Sequence, residues 1–337
     1  MLLFVRFSTA MALLGCGLLA PMPTTVAQDF GVQGQPLPEV RVESTRFAPG
    51  TVTVVPPQPT AEETFTGPIS LREFINAHPE IAWKAPDFKD GRPYSDPRTR
   101  TLPEMAQQVI LRREVYCMEF SFKPLRQIYV DVPQPDGRMK RKLVWYMVYR
   151  ARYLGGDLRA AADSQTDSPY GRIESISYKS RRLFPLFVLA NQATGKEYLD
   201  RIMPAVKDKI ARREKITAPL HNTVEIGSVP IPRSTDEAAP GVWGVATWED
   251  VDPNIDFFSV YVSGLTNAFR RDEDADGNVQ LPKKVLQLNF YRPGDTVRQT
   301  DDEIRFGIPA YTNEEEQGYI LRQYDLDKRL DYQWIYR

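Results

Sequence analysis

Leu143-Val144-Trp145-Tyr146-Met147-Val148-Tyr149-Arg150-Ala151-Arg152-Tyr153 runs without a glycine or a proline and is dominated by aromatic and β-branched residues, which favour a pleated chain. In an extended conformation Leu143, Trp145, Met147, Tyr149 and Tyr153 fall on one face, and Val144, Tyr146, Val148, Arg150 and Arg152 on the other. A strand that is apolar on both faces for half its length is central to its sheet and covered from both sides. The stretch therefore predicts a β fold with an element packed against each face of its middle strand.

The same period of two extends outward. Tyr116, Met118, Phe120 and Phe122 alternate with Cys117, Glu119 and Ser121, and Ile128, Val130 and Val132 follow; Pro135-Asp136-Gly137 then turns the chain into the long strand. Further strands are expected at residues 172–178, 183–190, 242–248, 257–263, 285–291, 303–308 and 330–336. In the last, Leu330, Tyr332, Trp334 and Tyr336 alternate with Asp331, Gln333 and Ile335, which places the C-terminus in the sheet. One helix interrupts them: Pro204 suits its first turn, Val206 and Ile210 its buried stripe, and residues 207–214 its charged face. Many short strands with Pro and Gly turns predict a mainly β body over residues 111–337, an antiparallel β-sandwich of immunoglobulin-like type with a few short helices. A barrel is the alternative, and the lack of a repeat disfavours a propeller or solenoid.

Ahead of this body the composition changes three times. Residues 1–27 read as a signal peptide: Arg6 supplies the positive end, residues 7–19 are largely apolar, and Thr25-Val26-Ala27 suits cleavage before Gln28. The apolar run falls short of the roughly 20 residues a spanning helix needs, and no later stretch reaches that length. Leu13-Leu14-Gly15-Cys16 offers a second processing route, a lipoprotein anchored at Cys16. Residues 28–67, rich in Pro and Thr with Pro56-Pro57-Gln58-Pro59, predict a disordered tether with nothing to give a core. Residues 68–110 predict a helical and loop extension, with one turn through Leu71, Phe74 and Ile75 and one helix sharing Leu102, Met105, Val109 and Ile110.

Charge and composition exclude some functions. Lys plus Arg number 43 against 44 Asp plus Glu, a formal charge of -1, so no global field draws in nucleic acid. Of the two cysteines, Cys16 precedes the expected cleavage point, leaving Cys117 as a single thiol with no internal disulfide to form. His78 and His221 are the only histidines, each in a loop or at a helix end, so neither a triad nor a zinc set takes shape, and no glycine-rich phosphate loop is present. No catalytic residue stands out.

One motif suggests a ligand. Asp272, Asp274 and Asp276 ahead of Gly277 carry carboxylates at alternate positions, as in the first half of an EF-hand calcium loop. Position twelve is Lys283 rather than the bidentate Glu a tight site uses, so a weak calcium loop competes with a plain hairpin turned at Asp276-Gly277. Calcium is the one cofactor in play. The arginine pairs Arg112-Arg113, Arg181-Arg182, Arg212-Arg213 and Arg270-Arg271 read as element ends that pair with neighbouring acids.

Several stretches carry a resemblance: Val144-Trp145-Tyr146-Met147-Val148-Tyr149-Arg150, Tyr198-Leu199-Asp200-Arg201-Ile202-Met203-Pro204, Phe258-Ser259-Val260-Tyr261-Val262-Ser263-Gly264-Leu265-Thr266-Asn267, Leu286-Gln287-Leu288-Asn289-Phe290 and Leu330-Asp331-Tyr332-Gln333-Trp334. Together they resemble an uncharacterised group of exported proteins from planctomycete-type bacteria over residues 110–337. The resemblance implies an envelope location and carries no activity, cofactor or catalytic residue. With 16 Tyr, 16 Phe and 5 Trp among many arginines, the expected function is a non-catalytic exported module that binds or assembles another envelope protein. The alternative is a carboxylate-dependent hydrolase of an envelope or cell-wall glycan. A cleft with two acids about 5 to 10 Å apart would mark the enzyme, a flat, aromatic and Arg-bearing edge the binder.

Overall fold

Extended chain paired antiparallel accounts for most of the computed structural model, which describes residues 52–68, 110–134, 136–161, 172–235, 241–273, 279–293 and 303–337. All of these belong to the compact unit Thr45–Arg337; the other unit, Met1–Ser44, with the expected signal peptide and Cys16, lies outside the described residues. In chain order the elements are β1 (Thr53–Val55), β2 (Phe65–Pro68), β3 (Ile110–Arg112), β4 (Glu119–Phe122), β5 (Arg126–Pro133), β6 (Met139–Arg152) and β7 (Asp157–Ala161). Next come β8 (Arg172–Ile176), β9 (Ser180–Arg181), β10 (Leu186–Asn191), β11 (Glu197–Leu199), α1 (Pro204–Arg213), β12 (Leu220–His221), β13 (Ile231–Pro232) and β14 (Val242–Glu249). Last are β15 (Phe257–Ser263), β16 (Asp272–Glu273), β17 (Val279–Gln280), β18 (Lys284–Tyr291), β19 (Arg305–Phe306), α2 (Glu314–Gln323) and β20 (Tyr332–Tyr336).

Two six-stranded sheets dominate. The first has the order β1-β4-β6-β14-β12, with β5 also on β6; the second has the order β11-β10-β15-β18-β19, with β20 also on β18. Every pairing is antiparallel except the short one between β12 and β14. One buried cluster draws on both: Phe120, Phe122, Trp145, Met147, Tyr149 and Trp248 from the first sheet, and Phe187, Leu189, Phe258, Val260, Leu288 and Phe290 from the second. The rings meet edge to face at Trp145–Phe258 (5.5 Å) and Phe122–Phe290 (6.0 Å), contacts that add to the burial energy. Gly244 lies opposite Tyr149 in the register, and a Cβ there would sit 2.3 Å from the Tyr149 ring, so the glycine makes room for the largest inward side chain at that point.

β6 is covered on both faces, as its composition predicts. Trp145, Met147 and Tyr149 face the main cluster, while Val144, Tyr146 and Val148 pack with Val206 and Ile210 of α1 in a second one. Pro204 stands in the first turn of α1, where its missing N–H costs nothing. Burying Val206 and Ile210 stabilises the helix by about 1.5–3 kcal/mol each.

α1 is then fixed by charge: at its C-terminal end the Glu214 carboxylate receives Lys123 Nζ (3.1 Å), Arg126 Nη1 (2.9 Å) and the Tyr146 hydroxyl (2.7 Å). Burial opposes the Glu214 anion, but the Tyr146 hydroxyl, Arg126 and Lys123 outweigh it and hold its pKa below the usual glutamate range.

The structure corrects three expectations. The tether assigned to residues 28–67 does contribute to the core: β1 pairs with β4 and Val55 is fully buried in the main cluster. Glu63, also buried, accepts from Lys284 Nζ (2.5 Å) and the Tyr336 hydroxyl (2.9 Å). A three-residue strand followed by two prolines has no period to reveal it; its stability comes from β4, and the turn after it is held by Lys284 and Tyr336, more than 200 residues away. Ile110, expected on a helix, opens strand β3, while the rest of the helical extension, with residues 70–79 and His78, lies outside the described residues. Of the expected strand at 303–308 only Arg305–Phe306 pairs, because Gly307 follows at a positive φ of 98° with Asp331 against it.

The sequence reading also missed α2, whose single fully covered position, Ile320, leaves too thin a stripe. Among the described residues no helix is long and apolar enough to cross a membrane.

Candidate interaction surface

Residues 182–187 alternate in exposure as an edge-like segment should, but both faces are apolar: Leu183 and Phe187 enter the core, while Phe184 and Leu186 are left 66% and 47% exposed. Among the described residues β11 pairs on one side only, with β10, and its register sets Leu199 beside Val188 and diagonal to Leu186. Tyr198 turns inward, so Leu199 points out and is 60% exposed.

The turn that follows β12 closes against the same region. A Cβ at Gly227 would touch the Phe184 ring at 3.1 Å, and the Thr223 hydroxyl donates to the Asp200 carboxylate, which brings the segment with the exposed Val224 to the one with Leu199 and the exposed Ile202. Phe184, Leu186, Leu199, Ile202 and Val224 are thus five of the exposed large hydrophobic side chains on segments that touch one another at one end of the second sheet. Scattered exposed apolar residues are ordinary, whereas a contiguous group rimmed by charge marks a contact surface. Exposed Arg182 and Glu197 form part of that rim. In sequence the surplus apolar face of residues 182–187 is the only signal, and it cannot be told from a second buried face without the sheet order.

The carboxylates are otherwise engaged. The four buried ones among the described residues each meet a cation: Glu63 with Lys284, Glu119 with Arg152 (2.7 Å), Asp157 with Arg181, and Glu214 with Lys123 and Arg126. A general acid for glycoside cleavage needs a raised pKa, and the cations around Glu214 push the other way. Asp200 is the carboxyl that burial does raise, against the opposing hydrogen bond from Thr223. It stands at the apolar edge with no second acid described beside it as an ion or hydrogen-bond partner.

The residues singled out from the sequence scatter. Asp272 sits in β16, paired with β17 as a hairpin, and its carboxylate takes Arg270 through Nε (2.6 Å) and Nη2 (2.8 Å), which lowers its pKa. Asp274 and Asp276 lie outside the described residues, so of the calcium loop only Asp272 is placed, and a cation there would have to displace a guanidinium. Cys117 is buried, and burial raises its thiol pKa to about 11. His221 is half-buried in β12. Arg270 pairs with Asp272 as expected of an element end, whereas Arg181 holds Asp157 and Glu114 and lies over the Tyr116 and Tyr178 rings. No family model, curated protein or solved structure matches the chain.

Proposed function

We propose that the protein is an exported, non-catalytic envelope module, its body an antiparallel sandwich of immunoglobulin-like type, that binds another envelope protein through the β10–β11 edge. The observation that supports this most is the grouping of Phe184, Leu186, Leu199, Ile202 and Val224 in contact-linked, exposed positions beside a strand with one free edge. Such a surface offers apolar area, and β11 offers backbone groups for strand addition. Periplasmic or cell-envelope location rests on the apolar N-terminal segment and its small residues before Gln28, with anchoring at Cys16 as the other route.

The experiment is photo-crosslinking in native envelopes, using the full chain with a photoreactive residue at position 186 or, as a remote exposed control, at position 319. A discrete protein adduct from 186 that is absent from 319 and lost on Leu199→Asp is expected. Glycan turnover that vanishes when a single acid becomes its amide, with no adduct from 186, would replace this reading by the hydrolase.

A further inference from the structure

The formal net charge of -1 conceals a local excess: four of the five residues in Arg138-Met139-Lys140-Arg141-Lys142 are cationic. The fold puts them on an arm. β5 and β6 pair from Arg126↔Tyr146 out to Pro133↔Met139, and the turn is closed by Gln134 N–H to Arg138 O (2.8 Å) and Gly137 N–H to Gln134 O (2.9 Å). β14 reaches along β6 only as far as Val144, so residues 139–143 pair with β5 alone. The outer half of the hairpin extends past the sheet.

Its cations divide. Lys142 folds back to Glu249 (2.9 Å) and Asp250 (3.1 Å) and is spent within the protein. Arg138, Lys140 and Arg141 are exposed; Asp131 stands opposite Arg141 in the register and the Asp136 carboxylate accepts from the Arg138 backbone N–H (3.0 Å), but among the described residues no carboxylate forms an ion pair with any of the three side chains. Arg141 lies over the Tyr129 ring at 4.8 Å, which holds it on the arm without neutralising it. Beside these charges stand apolar groups with nothing to cover them: Met139, 61% exposed at the end of the arm, Tyr129, 45% exposed, and the exposed Pro133 paired across from Met139.

We propose that this arm is a contact site for an anionic phospholipid surface. Three unpaired cations within four residues attract acidic headgroups through a short-range local field, which a near-zero net charge does not prevent. Met139 and Pro133 at the end of the arm favour a bilayer over a nucleic acid, since an apolar tip gains by entering the acyl boundary and gains nothing against a phosphate backbone. The site is separate from the β10–β11 edge and does not depend on it.

The test is co-sedimentation of the full chain with vesicles of phosphatidylcholine alone or with about 30% phosphatidylglycerol, at low and high salt. Three cations set against the exposed Asp131 and Asp136 of the same hairpin leave a net excess of one charge, so partitioning about fivefold stronger on the anionic vesicles is expected, falling steeply with salt. Arg138→Glu, Lys140→Glu and Arg141→Glu together should abolish the difference with thermal unfolding unchanged, and Met139→Asp should weaken binding severalfold. Were the triple variant to misfold, Lys140→Gln alone should still cost about fivefold. Equal partitioning onto both vesicle types, indifference to these substitutions, or binding to duplex DNA or heparin in the absence of vesicle binding would each overturn the proposal.

Discussion

Replacing Glu214 by glutamine keeps the shape of the side chain and removes its charge from the most enclosed ion cluster that docks a helix in this protein. Glu214 and Lys123 are 5% and 9% exposed along their side chains, and Arg126 13%. The amide oxygen of the variant still accepts the Tyr146 hydroxyl, so the loss is that of the anion facing two buried cations. Breaking a buried pair by removing one partner costs about 3–5 kcal/mol, because the remaining charge stays desolvated. Against a typical total of about 5–15 kcal/mol that is a large fraction, and the urea midpoint followed by tryptophan fluorescence should drop accordingly.

Glu225→Gln is the control. Its partner Lys207 and Glu225 itself are 23% and 40% exposed, so less than about 1 kcal/mol should be lost. Exchanging the whole cluster for apolar groups, with Lys123→Met, Arg126→Leu, Glu214→Leu and Tyr146→Phe, should recover most of the stability. The pH dependence has a definite sign. Since the folded pKa of Glu214 lies below its unfolded value, its contribution is complete above the ordinary glutamate range and is lost as pH falls through the depressed folded value. The gap between wild type and Glu214→Gln should therefore close in acid. An unfolding free energy for Glu214→Gln within about 1 kcal/mol of that for Glu225→Gln at neutral pH, or a gap that widens in acid, would refute the reasoning.

Gly244→Ala drives a methyl to within 2.3 Å of the fully buried Tyr149 ring and should destabilise by about 1–3 kcal/mol in the same assay, with partial rescue by Tyr149→Leu. Cys117, buried with its thiol pKa raised to about 11, should resist a disulfide-exchange reagent at pH 8 and react at once in denaturant; rapid labelling of the folded chain would contradict the burial. Deleting residues 1–64 removes Val55 from the core and leaves Lys284, 5% exposed, without Glu63, so the shortened chain should unfold at markedly lower urea than one starting at Gln28. Equal midpoints would show that β1 and Glu63 are ornamental.

The sequence was most legible where a local period carries the information. The two-faced run from Leu143 to Tyr153 announced a central strand, and it is one, covered by the second sheet on one side and α1 on the other. The strands expected at 242–248, 257–263 and 285–291 appear with boundaries shifted by at most one residue, and Pro204 opens α1 as anticipated. Short or non-periodic pieces escaped. β1, β11 and α2 hold too few buried positions for a pattern to emerge, and residues 53–64 looked like a tether because Pro and Thr dominate their composition.

The apolar edge and the basic arm lie further from what a pattern can show. Phe184, Leu186 and Leu199 have the same chemistry as core residues, and they stand in solvent because no element among the described residues covers that face of β10 and β11. Arg138, Lys140 and Arg141 were plain to read as charges, yet their lack of acidic partners follows from the end of β14 at Glu249, while Lys142, one residue on, is neutralised by that same end. By itself the sequence determined the class, mainly β and antiparallel, and the identity of its central strand, because backbone periodicity is a local property. Which apolar residues face water, which charges are spent on partners and which distant segment completes the core were decided by tertiary structure alone, since each depends on what another part of the chain places within a few ångströms.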